Sequence, residues 1–278
     1  MPTIRANGID LHVERRGTGH RLLFLNGSGA TLATSGMIVD LFAARFDVAA
    51  HDQRGLGLTG VPPGPYSMAD YAADALALMD HLGWGSCRVV GISFGGMVAQ
   101  EVAATAPERV ERLALVCTSP GGVNASYPLH ELAGMSDAVE RAAIWQRILD
   151  TRFTDEWLAT HDVDALIAGM VADRALAPRT EEQRLGERLQ LEARAAHDVN
   201  DRLGRITAPT LVAAGRFDGI APLANAEAIV ARIASAELRV YEGGHAFLGQ
   251  DPAALPDLLE FLAAGRRGGG TGLAMPAN

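Results

Sequence analysis

The sequence predicts an α/β fold built on a doubly wound, mostly parallel sheet, and three observations carry that prediction. Short apolar runs recur along the chain, stretches of helical periodicity alternate with them, and the alternation breaks only once, over a long helical interval. In order, the opening "TIRANGIDLHVERRG" reads as two alternating runs joined at Asn7-Gly8, a hairpin signal. Six further runs follow: "RLLFL" (21–25), "FDVAAHD" (46–52), "CRVVGIS" (87–93), "RLALVCTS" (112–119), "TLVAAGRFD" (210–218) and "ELRVYEGG" (237–244). Near-continuous apolar runs of this length suit strands covered on both faces. Helical patterns lie near 36–44, 67–82, 94–106, 222–233 and 253–264, and Ser67 with Asp70 forms an N-cap pair for the second.

The break falls between "TSPGG" and "ITAPTLV". It carries helical patterns near 137–152, 155–171 and 181–203 and is too long for a loop, so it is expected as a helical insertion over one end of the sheet. The expected division is therefore a core of 1–122 and 206–265, an insertion of 123–205, and a disordered glycine-rich tail at 266–278.

Composition removes several classes of function. The formal net charge of −9 argues against nucleic acid and anionic membrane surfaces as partners. All 24 basic residues are arginine, which excludes Schiff-base chemistry, pyridoxal attachment, a Ser-Lys dyad and the Walker lysine. No apolar run approaches a membrane span and the start "MPTIRANGID" has no secretory pattern, so a cytoplasmic address is expected. Cys87 and Cys117 read as buried small apolar residues. A homo-oligomer is compatible with all of this.

Chemistry concentrates in three places. Gly91-Ile92-Ser93-Phe94-Gly95 matches G-x-S-x-G between a strand and a helix, where a sharp turn exposes the serine hydroxyl and its neighbours must lack side chains. A serine hydroxyl is a poor nucleophile without a base beside it and a third group orienting that base. Of eight histidines, His12 and His20 lie in or beside the hairpin, His81 ends a helix, and His130, His161 and His197 belong to the insertion. His51 precedes a loop expected to turn away, whereas His245, in "YEGGHAF", follows the last strand, where carboxyl-end loops converge. Asp218, in "GRFDGIAP", is the carboxylate at the end of the preceding strand; the alternative position after 112–119 holds no acid. The oxyanion donors are expected to be the Phe94 amide, at the positive end of its helix, and the Ser28 amide in the loop "NGSGAT".

Two patterns lead nowhere. Gly55-Leu56-Gly57-Leu58-Thr59-Gly60 satisfies a dinucleotide pattern, but "VPPGP" follows it and prevents a helix from receiving a pyrophosphate. No acid–histidine spacing indicates a metal, and Trp145, Trp157, Met135 and Met170 read as helix packing, so neither metal nor cofactor is expected.

These pieces, with "HDQRGLGLTG" and "YEGGHAFLGQDP", resemble the α/β-hydrolase superfamily over about residues 3–265. "GPYSMADYAADALALMDHLGW" and "GGMVAQEVAATAPERV" look most like its 3-oxoadipate enol-lactonase and esterase branch. The resemblance implies the α/β-hydrolase fold with an eight-stranded sheet, the triad Ser93, Asp218 and His245, oxyanion amides at Phe94 and Ser28, and use of 123–205 as a cap that shapes the pocket. Asn26-Gly27 stands where many members have His-Gly, which removes any role for a histidine at position 26. The expected function is cofactor-independent hydrolysis of a small carboxylic ester or lactone through an acyl-enzyme. Carbon–carbon bond hydrolysis, thioester or methyl ester hydrolysis with the same triad, and a triad-bearing binding or signalling protein with little turnover stand as alternatives.

Overall fold

The structure is a computed structural model, and it describes residues 3–176 and 178–265. The tail expected at 266–278 lies outside the described residues. One sheet of eight strands organises the chain in the order β1-β2-β4-β3-β5-β6-β7-β8. The strands are β1 (Thr3–Ala6), β2 (Ile9–Arg16), β3 (His20–Leu25), β4 (Phe46–His51), β5 (Cys87–Ile92), β6 (Val110–Val116), β7 (Thr210–Gly215) and β8 (Ala236–Tyr241). β1 and β2 form the expected hairpin, with Asn7 and Gly8 both at positive φ, as a two-residue turn matched to strand twist requires. β2 is antiparallel to β4, and every pairing from β4 to β8 is parallel.

Side chains alternate between two buried faces, which explains why the strands read as unbroken apolar runs. Leu23 and Leu25, Val89, Leu113 and Leu115, and Val212 face one core. Leu22 and Phe24, Val90, Ala114 and Val116, and Leu211 and Ala213 face the other. The first core is covered by α2 (Met68–His81), α3 (Phe94–Thr105) and α9 (Leu223–Val230), the second by α1 (Leu32–Ala43) and α11 (Ala254–Ala263). α2 starts at a capping box in which Ser67 and Asp70 satisfy each other's backbone amides. Among the described residues no helix is long and apolar enough to cross a membrane.

Between β6 and β7 the described residues make no strand and run through α4 (Leu129–Gly134), α5 (Ala138–Leu149), α6 (Asp155–Leu158), α7 (Asp162–Leu176) and α8 (Glu181–Ala195). Two boundaries differ from the sequence expectation. The helix expected over 155–171 is two, because at Thr160 and His161 the chain folds back: His161 stacks on Trp157 at 3.8 Å and its Nδ1 lies 2.8 Å from the Trp157 carbonyl. The helix expected over 181–203 ends at Ala195, because the His197 carbonyl accepts from Gly122 and Asp198 bridges Gly121, diverting the backbone toward the segment after β6.

Candidate active site

Ser93 stands between β5 and α3 with φ 54° and ψ −115°, a conformation a non-glycine residue holds only where its surroundings impose it. Its amide donates to Val116 at 2.8 Å, and its carbonyl accepts from Gly96 at 2.9 Å and from the Thr118 hydroxyl at 2.7 Å. The flanking glycines make the turn sterically possible. A Cβ on Gly91 would run into the Gly95 carbonyl, and a Cβ on Gly95 into the carbonyl of Leu25 at the end of β3. The Phe94 ring is fully buried and meets Tyr71 edge-on at 4.9 Å, which anchors the start of α3.

Asp218 and His245 come from loops at the carboxyl ends of β7 and β8. Asp218 is buried, its Oδ1 accepting the Ile220 and Ala221 amides, each at 2.8 Å. Its Oδ2 lies 2.8 Å from His245 Nδ1, and His245 Nε2 lies 2.9 Å from the Ser93 hydroxyl. The structure thus brings Ser93, His245 and Asp218 into one hydrogen-bonded line. Burial alone would lower the His245 pKa; the Asp218 charge, with a smaller part from Cys117, outweighs it and raises the imidazole well above its usual value.

The two amides expected to hold an oxyanion belong to the turn after Ser93 and to the loop after β3. Phe94 N–H is in the first turn of α3, where no intrahelical acceptor exists. The loop carrying Ser28 is pressed against the serine: a Cβ on Gly27 would sit 3.5 Å from the Ser93 Cβ. Asn26, buried, donates to the Ser35 hydroxyl of α1 at 3.0 Å and so fixes this loop rather than facing the reaction. His51 is buried at the end of β4, its pKa lowered by burial.

Several residues reach the site without a sequence signal. Cys117, read as a small core residue, is buried but has φ 42°, and its sulfur lies with ligand atoms of Asp218 and His245 in a group no more than 4.8 Å across. Those three are the grouping among the described residues suited to a metal ion, yet both Asp218 oxygens and both His245 nitrogens already have partners within 2.9 Å, so an ion would have to displace them.

The end of α5 clips the acid and base loops together. Thr151 N–H donates to Phe217 at 2.9 Å, Gly219 N–H to Ile148 at 3.0 Å, and His245 N–H to Leu149 at 2.6 Å. Gln250 adds a polar knot: its Oε1 accepts the Gly244 amide at 2.9 Å, and its Nε2 donates to Asp150 and to Asp164, each at 2.9 Å. Arg152 pairs with Asp150 and lies over the Phe217 ring at 4.2 Å, next to Asp218. From the opposite side, Gln190 of α8 accepts the Gly29 amide at 2.7 Å, beside Ser28.

A serine on a strained strand-to-helix turn, in line with a histidine and a buried carboxylate on an eight-stranded, mostly parallel sheet, defines the class to which the comparisons also point. The family described as alpha/beta hydrolase fold matches residues 21–252, and the chain belongs to that family. It is 28% identical over 253 residues to a poly(3-hydroxyalkanoate) depolymerase of Ectopseudomonas oleovorans, covering 88% of this chain and 85% of that one. It is 27% identical over 260 residues to 3-oxoadipate enol-lactonase 2 of Acinetobacter baylyi, covering 93% and 94%. In structure it is similar to the enol-lactonase of Burkholderia xenovorans, with a TM-score of 0.79 at 24% identity, covering 95% of this chain and all of the other. These relatives are hydrolases, and the enol-lactonase branch expected from the sequence is among them.

Proposed function

We propose that the chain is a cofactor-independent serine hydrolase of a small carboxylic ester or lactone. The observation that carries this reading is the continuous relay from Ser93 to His245 at 2.9 Å and from His245 to Asp218 at 2.8 Å. His245 Nε2 takes the hydroxyl proton as Ser93 Oγ attacks the carbonyl carbon, and Asp218 holds the ring through Nδ1–H and stabilises the imidazolium. The oxygen that gains charge is held by the Phe94 and Ser28 amides. Collapse passes the proton to the leaving oxygen and leaves an acyl-serine, which for a lactone keeps the alcohol on the same molecule. Water, deprotonated by the same histidine, then releases the acid. Residues 123–205 act as the cap, roofing the pocket and setting which acyl and leaving groups fit.

The test is direct. The purified protein is expected to hydrolyse p-nitrophenyl butyrate or a simple γ-lactone, and a fluorophosphonate probe is expected to add one mass increment on the Ser93 peptide. Ser93→Ala and His245→Ala should each lower kcat by about 10⁴ or more while leaving the fold intact. No turnover across a panel of esters and lactones together with no labelling would sink the hydrolase reading. Labelling without turnover would instead favour a binding protein that keeps the relay.

A further inference from the structure

The glycine pattern at 55–60, which no helix follows, is a seat for the last helix of the insertion. Gly55 has φ 80° and lies against α8 at Gly186: a Cβ on Gly55 would sit 3.1 Å from the Gly186 Cα, and a Cβ on Gly186 would run into the Gly55 carbonyl. Glycine in the middle of a helix ordinarily weakens it, and this approach of two backbones accounts for the one at 186. Three and four residues further along the same face come Leu189, buried with its methyls where a Cβ on Gly64 would fall, and Gln190. The Asp52 carboxylate fills the space a Cβ on Gly57 would take and accepts the Leu58 amide at 2.9 Å, which fixes the seat from below.

The seat delivers Gln190 to the loop after β3. The core holds that loop at its two ends: the Asn26 carbonyl accepts from Gln53 Nε2 at 2.5 Å, and the Leu32 amide donates to Asp52 at 2.6 Å. At its middle the Gly29 amide donates to Gln190 Oε1 at 2.7 Å, a bond that comes from the insertion. Gln190 is 1% exposed. A backbone N–H can only donate, so the side-chain amide must turn its oxygen to Gly29, and its buried Nε2 is left without an acceptor among the described residues. Burying an amide with one bond unmade is costly, and an apolar side chain of the same size would fill the space without that cost. What the glutamine adds is its hold on Gly29. Gly29 has φ 62°, a conformation that leaves the peptide next to Ser28 free to turn unless something fixes it. Donors that meet a developing charge act by being fixed before the charge appears.

We propose that Gln190 is a positioning residue for the oxyanion site, and that the loop carrying Ser28 takes its reactive form only while α8 is seated on Gly55. The proposal rests on the hydrolase reading for its effect on rate, while its effect on the loop is testable without turnover.

The experiment sets hydrolysis of p-nitrophenyl butyrate beside inhibition by two ketones. With 1,1,1-trifluoroheptan-2-one, Ser93 Oγ adds to the carbonyl carbon, the hydroxyl proton passes to His245 and the carbonyl oxygen becomes an alkoxide with no leaving group, so its affinity reports the oxyanion site. Heptan-2-one, which forms no stable adduct, reports ground-state binding. Gln190→Met should lower kcat by roughly 10- to 100-fold with KM little changed, and weaken the trifluoroketone by the same factor while leaving heptan-2-one unaffected. Gln190→Glu keeps an acceptor for the Gly29 amide and should restore most of both. Gly186→Ala lifts α8 off Gly55 with Gln190 intact; it should shift both readouts in the same direction, and it carries the test should Gln190→Met fail to fold. Hydrogen exchange over residues 27–31 should be faster in Gln190→Met and in Gly186→Ala. A lowered Tm with wild-type kcat and an unchanged ratio of the two ketone affinities would confine Gln190 to folding and overturn the proposal. No turnover and no labelling of Ser93 in wild type, with exchange at 27–31 still raised by Gln190→Met, would overturn the hydrolase reading and uphold the coupling of α8 to the loop; unchanged exchange would overturn that coupling as well.

Discussion

Gln250→Ala tests whether the base is held in place by the insertion. Gln250 sits five residues after His245 and ties the backbone immediately before it, at Gly244, to Asp150 and Asp164 through three hydrogen bonds of 2.9 Å. The Asp150 side chain is fully buried, and Asp164 is 7% exposed. Truncation leaves one buried amide and two buried carboxylates each short of a partner, although Arg152 still holds Asp150 and Trp157 still donates to Asp164 at 2.7 Å. Each unmade bond of this kind costs about 1–3 kcal/mol, and the groups that keep a second partner fall at the low end, so a net loss of about 3 kcal/mol is expected. For a chain of this size that lowers Tm by about 6–12 °C. The catalytic consequence is separate. With the Gly244 anchor gone, His245 keeps the hydrogen bond from its own backbone N–H to the Leu149 carbonyl, and a misplacement near 1 Å costs about 100-fold in rate. The assay is steady-state hydrolysis of p-nitrophenyl butyrate well below Tm, with thermal melts on the same protein. The expected result is a fall in kcat of about 10- to 100-fold with KM little changed. Gln250→Glu should be worse, because it adds a third carboxylate to Asp150 and Asp164. Wild-type kcat in a destabilised Gln250→Ala protein would show that the knot serves only the fold.

Three further outcomes follow from the geometry and the charges. Because the His245 pKa lies above the ordinary 6.5, the free imidazole needed as a base forms only above that value, and kcat/KM should rise with pH through a midpoint above 6.5. A pH–rate profile with its acid limb centred at or below 6.5 would contradict the Asp218 coupling; by linkage, the stability that His245 contributes is full below 6.5 and is lost as pH rises through its raised folded value. His197 behaves oppositely: burial pushes it down to about 4, so between 6.5 and about 4 the unfolded chain binds a proton the folded one does not, and stability should drop by about 3 kcal/mol as pH falls across that window. Urea unfolding at stepped pH should show that dependence flattened in His197→Gln, and an unchanged slope would refute it. Gly95→Ala, ordinarily a gain inside a helix, should here cost about 3 kcal/mol or more, since the added Cβ meets the Leu25 and Asn26 carbonyls; a melt at or above the wild-type Tm would show that the turn can relax.

How legible the site was depended on the range of the interaction. The turn at Ser93 could be read locally, because strand, serine and glycines are contiguous and the steric demand falls on residues two positions away. Asp218 and His245 could be read because a parallel sheet puts successive strand ends along one edge, so their place in the fold follows from the strand order alone. Cys117 could not: nothing in "LVCTSP" indicates that the chain turns at positive φ and brings the sulfur under the imidazole. Gln250, Asp150 and Asp164 were equally silent, since they meet only after the insertion has packed onto the sheet.

The insertion touches the Ser93–His245–Asp218 line and its flanking loop from both of its ends, and under the proposed function this constrains how substrate preference can change. Its first half, through residues 148–151, fastens the acid and base loops; its last helix, through Gln190, fastens the loop that carries Ser28. Changes in the insertion that spare residues 148–151, Asp164 and Gln190 should therefore cost little in rate, whereas a shift of α8 large enough to move Gln190 would also move Gly29. On the hydrolase reading, selection for a new substrate is therefore expected to spare these ties, because they hold His245 and the Ser28 loop where the proposed chemistry needs them.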